Sequence, residues 1–373
     1  MVSMAAQDKI ESGRAMKYAL IGCGRIAAKH LEAALINDLE IVALCDIDVK
    51  AMGDLVKRVG DGRLSSVRYY TDYRQMLDKH PELELVAVAT ESGLHASIAL
   101  ECIDAGVNLI IEKPLALSMA DANEVVRRAK NRGVRVAVCH QNRFNPAVVS
   151  LREAVEGNYL GVLSHGSVSV RWSRSEDYYR QAFWRGTWEL DGGALMNQCI
   201  HGIDLLCWMM GDDVVEVFGV TRRRQHSYIE GEDVGVAVLS FASGAVGVIE
   251  GTVNVYPRNM EETLCIFGET GTVKLGGLAA STIEVWNVVG CDAKRHACSE
   301  TMATRADVYG GGHRLLYADM IEAIMVASDP LVDAAAGRRA LEVVLAIYKS
   351  QKTGGPVKLP LGDFASSDMK DVL

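Results

Sequence analysis

Between residues 17 and 141 the chain alternates apolar runs with amphipathic stretches. KYALIGCG (17–24), LEIVALCDID (39–48), LELVAVAT (83–90), VNLIIEKP (107–114) and VRVAVCHQ (134–141) are close to continuous hydrophobic segments. RIAAKHLEAALIN, LHASIALECIDAG and MADANEVVRRAKNRG lie between them with helical spacing, and a further helix around RQMLDKH follows SVRYYTDY. Strands that are apolar on both faces and separated by helices predict a parallel sheet covered on each side. That is an α/β doubly wound, Rossmann-type domain, with its ligand beyond the carboxyl ends of the strands.

Past residue 141 the period changes to two. VLSHGSVSVRW, VVEVFGVTR, DVGVAVLSFASGAVGVIEGTVNV, ETLCIFGETGTVKL and TIEVWNV alternate apolar and polar positions around SG and ETG turns. Such alternation predicts an open, mostly antiparallel sheet with one face exposed. LREAVEGNYLG, GGGHRLLYADMIEAIM and GRRALEVVLAIYKSQ add helices, so this half reads as an α+β domain. The pattern divides the chain into a tail (1–15), a dinucleotide-binding domain (16–140) and a substrate-binding and oligomerisation domain (141–373). One helix in the second domain, GGALMNQCIHGIDLL (192–206), is rich in Ala, Leu, Met and Ile yet carries Asn197, His201 and Asp204. Spaced i, i+4 and i+7, these three share one face of a 3.6-residue period. Buried polar groups cost free energy unless they are paired, so the stripe is expected to face the reacting groups.

Composition narrows the partners. The 373 residues carry a formal net charge of −9, which argues against non-specific binding to nucleic acid or to an anionic membrane. An anionic small molecule is still compatible, because a site can gather arginine locally. The nine cysteines include no C-x-x-C and mostly sit in apolar runs, which reads as the reduced thiols of a cytoplasmic protein. Cys291, His296 and Cys298 lack a nearby fourth ligand, so no metal is expected. No apolar run is long enough to span a bilayer.

Gly22, Gly24 and Ala27 follow the first strand as G-x-G-x-x-A. Gly22 permits the tight turn, Gly24 a close backbone approach to a pyrophosphate, and Ala27 close helix–strand packing, while the helix N-terminus offers N–H groups to phosphate. Asp46 ends the second strand, where a carboxylate accepts hydrogen bonds from a ribose hydroxyl and repels a 2′-phosphate. Ile47 follows it rather than an arginine. The cofactor expected is therefore NAD rather than NADP.

Gly22–Ala27, Glu112-Lys113-Pro114, Asn142-Arg143-Phe144-Asn145-Pro146, the 191–204 stretch and the ending GRRALEVVLAIYKSQKTGGPVKLP resemble the Gfo/Idh/MocA oxidoreductase family, over residues 16–361. Within that family, WSRSEDYYRQAFWRGTWELDGGALMNQCIHGIDLL is most similar to WlbA-type enzymes, which oxidise the 3-hydroxyl of UDP-N-acetylglucosaminuronic acid. The resemblance implies an NAD-dependent sugar dehydrogenase with a sugar or nucleotide-sugar substrate, assembled as a homodimer or homotetramer. It also implies that Lys113 reaches the reacting hydroxyl and that His201 is the acid/base. Many members carry Asp four residues before the histidine. Asn197 stands there in this chain and cannot titrate, so it is expected to orient.

The chemistry agrees independently. Oxidising a secondary alcohol needs a hydride acceptor, a base near the hydroxyl and a cation beside the developing alkoxide. The cofactor-binding set is then Gly22, Gly24, Arg25, Ile26, Asp46, Thr90, Glu112 and Lys113. The substrate-binding set is Lys113, Arg143, Arg171, Tyr179, Arg185, Asn197, His201 and His313, with Arg174 and Arg180 as further cations and Tyr178, Trp184 and Trp188 as stacking surfaces. His95 reads as structural, and Asp204 either fixes the His201 tautomer or packs. Competing readings are an inositol or other free-sugar dehydrogenase, an NAD-dependent glycosidase that oxidises C3 transiently, and a non-catalytic NAD sensor.

Overall fold

The computed structural model describes residues 14–211, 214–292 and 311–373. In chain order, β1 (Lys17–Ile21), α1 (Ala27–Ile36), β2 (Glu40–Cys45), α2 (Val49–Val59), β3 (Arg68–Tyr70), α3 (Tyr73–Lys79), β4 (Leu85–Val88), α4 (His95–Asp104), β5 (Asn108–Ile111), α5 (Met119–Arg132) and β6 (Val136–Val138) come first. The six strands form one parallel sheet of order β3-β2-β1-β4-β5-β6, the dinucleotide-binding arrangement. Its central strands β1, β4 and β5 are almost wholly buried, which accounts for their continuous apolar runs. The edge strand β3, RYY, has no such run, so hydrophobic patterning alone does not mark it as a strand.

The remainder starts with α6 (Pro146–Glu156), β7 (Leu163–Arg171), α7 (Glu176–Arg180), a π-helical turn (Leu195–Cys199) and α8 (Ile200–Met210). β8 (Val214–Arg222), β9 (Val234–Phe241), β10 (Val246–Thr252), β11 (Glu261–Gly268), β12 (Gly271–Gly276) and β13 (Thr282–Val288) follow, then α9 (Gly312–Val326), α10 (Ala334–Thr353) and β14 (Val357–Lys358). These eight strands form a second sheet of order β13-β12-β11-β7-β10-β9-β8-β14, antiparallel throughout except for β10 beside β7. On one face Phe218, Val236, Val238, Val246 and Val248 are exposed, with Phe218 opposite Val238 and Val238 opposite Val248.

The described residues form two compact units. One takes residues up to Ala116, with Asp121–Cys139 and His313–Gly337; the other takes Leu117–Ala120, His140–Gly312 and Arg338–Leu373. The segment 313–337 therefore packs with the nucleotide-binding unit, whereas its place in the sequence suggests the second domain. The reason is local: Tyr317 of α9 hydrogen-bonds Tyr18 of β1 at 2.9 Å and His30 of α1 at 2.7 Å. Residues 1–13, and His296 and Cys298 of the considered metal trio, lie outside the described residues.

Candidate active site

In the first unit the G-x-G-x-x-A loop joins β1 to α1. Gly22 has φ +93°, and a Cβ there would fall 2.5 Å from the Ala89 carbonyl, so the tight turn admits glycine only. A Cβ on Gly24 would meet nothing within 4 Å, which leaves room for a pyrophosphate against the backbone. Arg25 is exposed at the tip of this loop. Ile26 caps α1 without a side-chain hydrogen bond, and the first turn holds no acidic residue, so an anion meets no competing carboxylate there. The Asp46 carboxylate accepts the Cys23 N–H at 2.7 Å and the Asp48 N–H at 2.9 Å, which fixes it beside the loop with lone pairs left for ribose hydroxyls. The residues fit a dinucleotide.

At the end of β5 the Glu112-Lys113-Pro114 turn is gripped from two sides. The Glu112 carboxylate is buried and turned inward. Its Oε1 lies 3.0 Å from His30 Nε2 and 3.3 Å from His313 Nε2, and its Oε2 accepts the Lys113 N–H at 3.2 Å. Burial pushes this carboxyl up, but the hydrogen bonds and charges of the two histidines outweigh burial and hold it well below its ordinary value. Glu112, expected among the cofactor-binding residues, is tied here to two histidines and to the backbone of the turn. His313, expected among the substrate-binding residues, places its Nε2 against Glu112 in this unit. On the other side of the turn, buried His95 places Nδ1 2.7 Å from the Pro114 carbonyl and Nε2 3.1 Å from the Thr90 carbonyl. It ties the loop after β4 to the lysine turn. His30, Glu112, Cys139 and His313 bring ligand-type atoms within 4.8 Å of one another. His30 already uses Nδ1 on Tyr317 and Nε2 on Glu112.

In the second unit the polar stripe is not a uniform face. The π-helical turn carries Asn197, and α8 carries His201 and Asp204. A π turn holds more residues than an α turn, so the i, i+4, i+7 spacing does not keep the three groups aligned. They point to different partners. Asn197 donates to the Asp191 carboxylate and accepts from Gln198. The rings of His201 and His140 meet edge to face, with centroids 5.5 Å apart. Asp204 takes Arg143 as a buried bidentate pair. The turn itself is anchored by Glu232, whose Oε1 accepts the Leu195 N–H at 2.7 Å and the Tyr348 O–H at 2.9 Å. Burial pushes the Glu232 carboxyl up to about 8, so it is neutral in the fold.

The candidate cations separate by what they touch. Arg143 is paired with Asp204 and stacks on Trp208 at 4.6 Å. Arg171 bridges Glu250 and Glu261 across the sheet, and Arg180 pairs with Glu176; both are neutralised there. Tyr179 is buried against Tyr178 and His226, so its ring packs inside rather than offering a stacking surface. Arg185 contacts the Tyr178 carbonyl at 2.5 Å and stacks over the Tyr178 ring at 4.3 Å. Asp191, Gln198 and Glu232 shape the site, yet sequence reasoning passed over them. Asp191 directly precedes the 192–206 stretch and Gln198 lies within it, next to Asn197, which is the signal that could have found them, whereas Glu232 lies 37 residues from the amide it accepts.

Residues 16–140 match the model of an oxidoreductase family with an NAD-binding Rossmann fold, and residues 148–274 match the Gfo/Idh/MocA C-terminal domain. The chain belongs to the Gfo/Idh/MocA oxidoreductase family. As a family member it is an NAD-binding oxidoreductase of the sugar-dehydrogenase kind. Among solved structures of this family, the WlbA dehydrogenase from Bordetella pertussis, in complex with NADH and UDP-GlcNAcA, is 34% identical with a TM-score of 0.83, covering 94% of this chain and 99% of that one. D-apiose dehydrogenase from Paraburkholderia graminis is 30% identical over 69% of this chain and 67% of its own length. Myo-inositol 2-dehydrogenase from Thermotoga maritima is 25% identical over 75% of this chain and 81% of its own.

Proposed function

We propose that the protein oxidises a secondary ring hydroxyl of a nucleotide sugar, the 3-hydroxyl of a UDP-N-acetylglucosaminuronate-like substrate. The observation that carries this reading is the nearly full-length, 34% identical match to a WlbA dehydrogenase in complex with UDP-GlcNAcA. NAD supplies the hydride acceptor when bound. Asp46 binds its ribose and disfavours a 2′-phosphate, and Gly24 and the α1 N-terminus receive its pyrophosphate. His201 takes the hydroxyl proton as general base, and the Lys113 ammonium stabilises the alkoxide that forms. Asn197, held by Asp191 and Gln198, positions and does not titrate. The exposed Val/Phe face of the second sheet is covered by another copy of the chain, giving a homodimer or homotetramer, since a contiguous exposed apolar patch marks an interaction surface.

The test is NADH formation against a panel of UDP-sugars, free uronates and inositols. Turnover of UDP-N-acetylglucosaminuronate to a 3-keto product, without cleavage of the glycosidic bond, is the expected result. Preferential turnover of myo-inositol would move the assignment to the free-sugar branch, which the inositol dehydrogenase relative favours.

A further inference from the structure

Among the described residues, two arginines of the second unit have no counter-ion. Arg174, just after β7, contacts only neutral oxygens: the Ser173 carbonyl at 2.7 Å, Asn259 Oδ1 at 3.1 Å and Gln198 Oε1. Arg185 contacts the Tyr178 carbonyl and, at 3.4 Å, Gln181 Oε1. Among the described residues neither meets a carboxylate, in contrast to Arg143, Arg171 and Arg180. Both are partly buried, and the Nε of each is shielded without a hydrogen-bond acceptor. A partly desolvated cation whose contacts are all neutral lacks the counter-charge that offsets its burial. Such an arrangement is expected where a ligand supplies the charge.

The two guanidinium groups share one aromatic ring. Arg174 lies 5.2 Å and Arg185 4.3 Å from the Tyr178 centroid, so cation–π contact holds both planar groups in place. The Tyr178 hydroxyl accepts from Gln198 Nε2 at 3.1 Å. Gln198 also accepts from Arg174 and donates to Asn197. The pair is therefore wired to the helix of His201, three residues further along.

We propose that Arg174 and Arg185, fixed on Tyr178, form the anion-recognition subsite of the substrate and take an oxyanion: the diphosphate or the uronate carboxylate of a charged sugar. Arginine matches either group through paired N–H donors. This inference deepens the nucleotide-sugar reading and rests on it for the identity of the sugar.

The test uses the full-length protein with NAD, titrated with UDP-N-acetylglucosaminuronate, UDP-N-acetylglucosamine and free glucuronate by calorimetry, alongside steady-state kinetics. Arg174→Gln and Arg185→Gln should each weaken binding of UDP-N-acetylglucosaminuronate roughly tenfold to a hundredfold, the range for losing a charged hydrogen-bond partner. KM should rise more than kcat falls, NAD affinity should stay unchanged, and Arg174→Lys should recover part of the loss. If the diphosphate is the ligand, UDP-N-acetylglucosamine loses affinity equally; if the carboxylate is, glucuronate does and UDP-N-acetylglucosamine does not. Unchanged affinity of the wild type and both variants for all three probes overturns the proposal, as does equal weakening toward uncharged myo-inositol. Melting temperatures within a few degrees of wild type exclude misfolding, and the Lys variant decides where Gln fails to fold. The function reading fails separately: His201→Asn with full turnover would sink the mechanism while leaving the anion subsite standing.

Discussion

Arg143 and Asp204 face each other inside the second unit, Nε to Oδ2 at 2.8 Å and Nη2 to Oδ1 at 2.7 Å, both side chains almost completely buried. Burial pushes the aspartate up, but the charge and hydrogen bonds of Arg143, together with the charges of His140 and Arg339, outweigh it and keep the carboxyl below its ordinary value. Removing one partner leaves an uncompensated buried charge, at a cost of about 3–5 kcal/mol. Arg143→Ala should lose that much in chemical denaturation, and Arg143→Met combined with Asp204→Leu should lose less. A single Arg143→Ala variant as stable as wild type would contradict the pairing.

The base assignment predicts a split between turnover and cofactor affinity. His201→Asn should cut kcat by roughly 10² or more, the usual size of a general-base contribution, with NAD affinity kept because the dinucleotide loop is in the other unit. Asn197→Ala should cost less, and Lys113→Ala should be severely impaired because the charge beside the alkoxide is lost. Wild-type turnover of His201→Asn across pH 6 to 9, a range chosen to bracket an ordinary imidazole, would make the histidine structural.

Cofactor choice turns on Asp46. Asp46→Ala should weaken NAD binding far more than NADP binding, read as dissociation constants from nucleotide fluorescence. A wild type that prefers NADP contradicts the role given to this carboxylate.

Glu232 makes stability depend on pH. An ordinary glutamate ionises near 4.5, whereas this one holds its proton up to about 8. Between those values the unfolded chain gives up the proton before the folded one does, so the contribution is fully present at low pH and declines as pH rises toward 8. Glu232→Gln removes the titrating group. Its melting temperature should fall less than that of wild type between pH 5 and pH 8; parallel curves would show that Glu232 is ionised in the fold.

The exposed sheet face predicts self-association. Light scattering of the wild type should give twice or four times the mass of one chain, and Val238→Glu, which places a charge between Phe218 and Val248, should shift it toward monomer. A stable wild-type monomer at micromolar concentration would leave that face without the occupant assigned to it.

The sequence carried the architecture wherever burial was two-sided. β1, β4 and β5 are apolar runs because helices cover both faces of their sheet, and the glycine fingerprint is legible because Gly22 has no alternative at its φ. The site was legible as residue types and much less as partners. Arg171 meets Glu250 and Glu261 only through sheet pairing, 79 and 90 positions away, so it reads as a free cation in one dimension. The Asn197–His201–Asp204 stripe rests on a 3.6-residue lattice that the π turn breaks. Glu112 reads in one dimension only as part of a turn motif, because its partners His30 and His313 come to it from two distant helices.

That the nucleotide-binding unit recruits 313–337 has a consequence during synthesis. When β6 leaves the ribosome, the Glu112 carboxylate has His30 but not yet His313, and Tyr18 has no Tyr317. The NAD half of the molecule waits for nearly the entire message to be read, and nascent chains released before that point lack the clasp behind Lys113. A premature stop in any strand from β7 to β13 therefore leaves Glu112 without His313 and Tyr18 without Tyr317, although every residue of the glycine loop has already been made.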